Sequence, residues 1–116
     1  MPTNHVSIQD GETHFPDGLN NDITKTFVVR RLNTNTRPYV SYRVTPAGGD
    51  VTLQMDLNGT LVVDDRFQTT NTRTLNEIID HGVAVEGEND LVIRREAGPG
   101  TIVVSDIIFA YSQTPD

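Results

Sequence analysis

Three histidines, His5, His14 and His81, are the only imidazoles in the chain, and their spacing matches no metal-ligand pattern. There is no cysteine, which excludes thiolate metal sites, a cysteine nucleophile and disulfides. No phosphate-binding loop, dinucleotide fingerprint or nucleophile motif occurs. What remains is carboxylate. Asp10, Glu12 and Asp17 share one N-terminal loop region, Asp64-Asp65 ends a short apolar run, and Glu86, Glu88, Asn89 and Asp90 crowd a third turn. Calcium takes about six to eight oxygens, commonly from flexible loops. Asp10, Glu12, Asp17, Asp64 and Asp65 are therefore the first places to look for an ion, with the Glu86 to Asp90 turn third and solvated loop acids as the plain alternative.

The other chemistry within reach is recognition of sugar. Pyranose rings stack on exposed aromatic faces, while acids, amides and arginines bond to their hydroxyls. The chain has no Trp, 3 Tyr and 4 Phe. Strand alternation assigns Tyr42 to a core, and Phe27 and Tyr111 with it. Tyr39 and Phe67 are left as candidate platforms, with Arg43, Asn71 and Arg73 as polar company, and core or edge packing competes for each.

The elements that must carry these residues read as strands. Val6 and Ile8 alternate with His5 and Ser7 in a short first strand that Asp10-Gly11-Glu12 turns. Ile23 to Leu32 is β-branched around Phe27, and Pro38 opens a strand with Val40, Tyr42 and Val44 on one face and Tyr39, Ser41 and Arg43 on the other. Val51, Leu53, Met55 and Leu57 alternate with Thr52, Gln54 and Asp56, the mark of a half-buried antiparallel strand. Asn58-Gly59 is a hairpin turn returning through Leu61 to Val63. It also reads as a glycosylation sequon with Thr60, but the tight turn accounts for it. Thr74-Leu75-Asn76-Glu77 has capping-box form, and the apolar spacing to Ile79 with His81-Gly82 beyond favours one short helix over Leu75–His81, with a strand as the alternative.

The last quarter predicts a closing hairpin. Leu91 to Arg94 and Ile102 to Tyr111 flank Ala97-Gly98-Pro99-Gly100, where the chain reverses, and Ser105-Asp106 breaks the alternation, as a bulge or a strand covered on both faces would. About eight short strands without an internal repeat or linker imply one all-β domain, a sandwich or jelly roll spanning residues 1–116.

From Val51 to Tyr111 the chain resembles the galactose-binding-like jelly-roll superfamily, which includes many carbohydrate-binding modules. Leu57-Asn58-Gly59, Gly87-Glu88-Asn89 and the apolar strand through Val104-Ser105-Asp106-Ile107 carry the resemblance. It implies the fold first, and ligand binding on end loops or on a concave sheet face. Fold alone does not assign function.

Composition narrows the partners. The formal net charge is -7 with a single lysine, Lys25, so nucleic acid is excluded as a partner. No run approaches the length of a membrane span, and no secretory leader pattern opens the chain, which predicts synthesis and folding in the cytoplasm. With no catalytic constellation, two non-enzymatic readings follow. The leading expectation is a structural subunit that binds protein surfaces or itself in a larger assembly such as a virion, with Met1 to Asp10 supplying a strand to a neighbour. The alternative is a glycan-binding module, with calcium as a conceivable cofactor.

Overall fold

Alternating apolar residues on a strand can bury only one face, and here two sets of such faces close on each other. The computed structural model describes residues 3–15, 22–68 and 70–114. Its strands are β1 (Thr3–Phe15), β2 (Asp22–Val29), β3 (Tyr39–Ala47), β4 (Val51–Leu57), β5 (Thr60–Phe67), β6 (Arg73–Ile78), β7 (Gly87–Ala97) and β8 (Thr101–Ser112). They form a front sheet in the order β1-β8-β3-β6 and a back sheet in the order β2-β7-β4-β5. Every pairing is antiparallel. This is the jelly-roll β-sandwich expected from the strand pattern.

The core lies between the sheets. Val40, Tyr42 and Val44 of β3 and Ile102, Val104, Ile107 and Phe109 of β8 meet Val51, Leu53, Met55 and Leu57 of β4 and Leu91 and Ile93 of β7, all buried. Phe27, Phe109 and Tyr111 stack in series, with centroid separations of 5.2 and 5.7 Å. Tilted aromatic packing of this kind adds to the gain from burying the rings.

Three expectations are corrected. The Leu75–His81 segment is not a helix: β6 pairs with β3 from Tyr39↔Ile78 to Val44↔Arg73, and the chain turns only at 81–83. An open edge on β3 outweighs a local capping signal worth about 1 kcal/mol. The Asp10-Gly11-Glu12 segment does not end the first strand but is absorbed in β1 as register shifts against β8. Finally, β7 and β8 are not a hairpin. β7 pairs with β2 and β4, β8 with β1 and β3, and the 98–100 turn arches from one sheet to the other. Both strands carry an apolar face, and placing them opposite each other lets both faces share one core.

The arch is tight. Gly98 has φ +100, and a Cβ there would run into the Asp50 backbone; one at Gly100 would meet the carbonyls of Gly49 and Ala47. The Gly100 amide donates to the Asp50 carbonyl at 2.8 Å. At the other end Asn58 (φ 51) and Gly59 (φ 87) make the two-residue turn between β4 and β5, both residues left-handed as a type I′ turn requires.

Gly59 has open space around it, so Gly59→Ala carries only the left-handed penalty, about 1–2 kcal/mol. Gly98→Ala carries the same penalty plus a backbone collision. Urea unfolding should therefore show a clearly larger loss for Gly98→Ala, and equal losses would mean that the arch is not close-packed.

Candidate functional site

The two outer faces of the sandwich differ in how far their polar groups are already satisfied. On the back sheet, Arg94 grips Asp56 at 2.7 and 3.2 Å and donates through Nε to Gln54 at 3.0 Å. Gln54 in turn donates to Asp64 at 3.2 Å, and Thr26 donates to Asp90 at 2.8 Å. Such a face is stable in water as it stands.

The front sheet's outer face is different. Because Val40, Tyr42 and Val44 point inward, Tyr39, Ser41 and Arg43 point out. Tyr39 is 43% exposed and sits opposite Ile78 of β6, itself 68% exposed, and Ala110 of β8. Ser41 lies between Asn76 and Ile108 in the next row. Asn4, His5, Tyr39, Ser41, Asn76, Ile108 and Ala110 line a shallow depression of ≈ 420 Å³. Among the described residues, the side chains of Ser41, Arg43, Asn76, Ser105 and Asp106 make no hydrogen bond or ion pair within the chain. An aromatic and aliphatic patch beside unengaged hydroxyl, amide and guanidinium groups is chemically suited to a ligand with apolar faces and polar edges.

Of the sequence candidates for ligand contact, the structure brings Tyr39 and Arg43 to this face and separates the rest. Phe67 is no platform. It is buried at 2%, and the Arg73 guanidinium lies 5.1 Å from its ring centroid. Asn71 is exposed in the β5–β6 loop, away from the depression. Asn76, His5, Ile78 and Asp106 belong to the face but were not singled out from sequence. Asn76 and Ile78 were hidden by the helical reading of their segment, and the Ser105-Asp106 break showed a bulge without showing which side it opens to.

The carboxylates scatter. Asp10 accepts from the Ser7 hydroxyl at 2.6 Å, and Glu12 lies 3.7 Å from His14. Asp64 and Asp65 are adjacent on a strand and therefore point to opposite faces, Asp64 outward to Gln54 and Asp65 inward to Tyr42. Asp17 lies outside the described residues. Glu86 accepts from the backbone amides of Leu32 at 2.8 Å and Arg31 at 2.9 Å, which hold its carboxyl below the usual range, the Leu32 amide foremost. Among the described residues no three acidic or histidine side chains converge as a metal site would need. The described candidates Asp10, Glu12, Asp64 and Asp65 therefore do not by themselves assemble a calcium cage.

Asn89 is buried and fully engaged. Its carbonyl accepts from Asn58 Nδ2 and the Val85 amide, and its Nδ2 donates to the Val85 and Gly87 carbonyls, all at 2.8–3.1 Å. Asn58 also donates to Val83 and accepts from the Asp90 amide. The Leu-Asn-Gly and Gly-x-Asn signatures thus meet in space as one structural clasp, not as ligand contacts.

On the open side between β5 and β6, Tyr42 donates its hydroxyl to Asp65 Oδ2 at 2.5 Å, and the Glu77 carboxyl lies close enough to Asp65 to be raised by it. Burial, then Asp65, pushes the Tyr42 hydroxyl well above its ordinary range. Partial desolvation, then Asp65, raises Glu77 above the usual carboxylate value.

These features define a class: a jelly-roll sandwich with one self-satisfied sheet face and one open, amphipathic one. Solved structures of the same fold bear on it directly. The CBM36-1 domain of a multidomain xylanase from the hindgut metagenome of Trinervitermes trinervoides superposes with a TM-score of 0.65 at 8% identity, covering 98% of this chain and 100% of that one. A carbohydrate-binding module of family 36, in complex with calcium and xylotriose, gives 0.57 at 14% identity over 91% of this chain and 98% of its own. Dimeric latent PorU from Porphyromonas gingivalis gives 0.64 at 15% identity over 93% of this chain, which spans 13% of PorU's length. No protein-family profile and no curated protein sequence matches the chain. The shared architecture is that of carbohydrate-binding-module-like jelly rolls, as the sequence resemblance implied.

The leading expectation of a virion-type structural subunit is overturned by the carbohydrate-binding modules among these matches. The strand proposed for donation to a neighbour is moreover used within the chain, since β1 pairs with β8 from Thr3↔Ser112 to Phe15↔Ile102.

The Asp65–Glu77 pair sets a pH dependence. A carboxyl whose folded pKa is raised contributes stability below its unfolded pKa and loses it as pH rises through the folded value. Glu77→Gln should therefore be more stable than the parent at pH 7, and the difference should shrink as pH falls toward about 4, the unperturbed carboxylate range. Thermal melts across pH 3–8, the window bracketing that range, test this; a parallel offset at every pH would refute it.

Proposed function

We propose that the chain is a non-catalytic carbohydrate-binding module whose ligand lies on the outer face of the front sheet. The observation that carries this is the exposed Tyr39 ring beside Ile78, bordered by unengaged Ser41, Asn76 and Arg43, whereas the centre of the opposite sheet is tied up in the Arg94–Asp56–Gln54–Asp64 network. A sugar ring offers an apolar face for the aromatic and hydroxyls for the polar groups. The fold shared with modules that include a xylotriose complex supports the reading. No ion is needed at the proposed site, because the sheet face supplies its own donors and acceptors.

Depletion assays on insoluble xylan, cellulose and mannan, followed by titration with soluble fragments of whichever is retained, test the proposal. Retention on one of them should persist in EDTA. Tyr39→Ala should weaken it by about tenfold or more, the cost of losing a stacking contact of 1.4 kcal/mol, while the melting temperature stays close to the parent's because the ring is half exposed. Retention that vanishes in EDTA, or that ignores Tyr39, would place the ligand elsewhere. Failure to retain any glycan would end the reading.

A further inference from the structure

We infer, resting on the glycan-binding reading above, that the ligand is a stretch of neutral oligosaccharide laid along β3, held at one end by Tyr39 and at the other by a second, polar subsite made of Arg43 and Asp106. Tyr39 and Arg43 point out from the same strand four residues apart, a separation of about 13 Å at the rise of a β-strand. That exceeds the span of a single pyranose ring. Ser41, Asn76 and Ile108 lie between the two ends, so the floor that joins them carries no large side chain that would block a continuous chain.

The second subsite is built by a bulge. Ser41 stands opposite Ile108 and Arg43 opposite Ser105, so Asp106 and Ile107 together face Tyr42. On the other side of β8 the register with β1 shifts at the same level, between Gln9↔Ile107 and Glu12↔Ser105. Asp106 adopts φ 53, a left-handed backbone that only a few non-glycine residues tolerate, and so keeps Ile107 fully buried while remaining exposed itself. The inner side of β8 is packed core, so that exposure is on the outer face. The extra residue interrupts a ladder at the middle of a sheet and presents a carboxylate on the strand beside Arg43. Neither side chain is engaged by another among the described residues. A carboxylate accepts from neighbouring hydroxyls and a guanidinium donates in parallel pairs, which together complement a vicinal diol.

The surroundings select against charge. Asp10 and Glu12 lie on β1 beside the bulge, bonded to Ser7 and facing His14 respectively, so this end of the face has three carboxylates to one guanidinium. A uronate would meet repulsion there, whereas neutral sugars would not.

The experiment is calorimetric titration with xylo-, cello- and manno-oligosaccharide ladders from mono- to hexasaccharide and with a galacturonate ladder, on the parent, Arg43→Ala, Asp106→Asn and Tyr39→Ala. Asparagine tolerates the left-handed backbone, so Asp106→Asn preserves the bulge, and thermal melts check each fold. One neutral ladder should gain about tenfold or more in affinity between the monosaccharide and the longer members. Arg43→Ala and Asp106→Asn should abolish most of that gain, and Tyr39→Ala should weaken every member. If affinity ignores length, or the gain survives both polar substitutions, the second subsite is wrong while the glycan-binding reading stands. Tighter binding of the galacturonate ladder would overturn the neutral assignment alone. If none of the ladders binds and no insoluble glycan retains the protein, both readings fall together.

Discussion

Every side chain on the front sheet's outer face is where it is because of what the inner face must bury. On β3 the alternation places Val40, Tyr42 and Val44 in the core and hence Tyr39, Ser41 and Arg43 in solvent. A one-residue slip would exchange the two sets and put a guanidinium between the sheets, at a cost no local contact could offset. The register is thus held by the most expensive burial available, and the depression inherits its rigidity. The Tyr42 hydroxyl, the one polar atom carried inward by this arrangement, is answered by Asp65 from the facing sheet.

The bulge at Asp106 departs from that alternation without weakening the core. Ile107 and Phe109 stay buried on one side of it and Val104 on the other, so the extra residue is displaced entirely toward solvent. A carboxylate consequently appears at the centre of a sheet face, where regular pleating would have put it among apolar neighbours. The back sheet has register shifts too, at Met55/Asp56 against β5 and at Thr52/Leu53 against β7, but the acid at the second, Glu96, already lies 3.5 Å from Arg94. Its polar residues pair with one another across β7, β4 and β5, and it offers a visiting ligand few unengaged groups.

Edges and ends are managed separately from the face. Asp65 and Glu77 point inward from β5 and β6, two of the four edge strands, an arrangement that discourages strand addition there because a charged inward residue resists further pairing. The Asn58–Asn89 clasp locks the β4–β5 turn to the loop before β7 through a buried amide with no unmet donor or acceptor. In this chain the two turn signatures that resemble galactose-binding-like jelly rolls are two halves of one contact, so their presence speaks for the fold and not for a ligand.

Period-two alternation is a property of neighbouring residues, and so the sequence by itself determined the faces of β3 and β4, the outward position of Tyr39 and Arg43, the Asn58-Gly59 turn and the break in alternation at Ser105-Asp106, which the structure resolves as a bulge. Which strands pair is a property of residues far apart, and that only the tertiary structure decided. β7 and β8 look like a hairpin because a turn joins two apolar runs, yet they lie in opposite sheets because each must cover the other's apolar face. Leu75 to Ile78 has helical spacing and a capping signal, yet it is a strand because β3 presents an unpaired edge beside it. Phe67, a candidate platform by composition, is buried because β5 turns that side of the strand inward against Arg73 and the core. The partners of Tyr39 and Arg43, Ile78 and Asn76 from β6 and Asp106 from β8, became visible only when those pairings brought three distant segments onto one face.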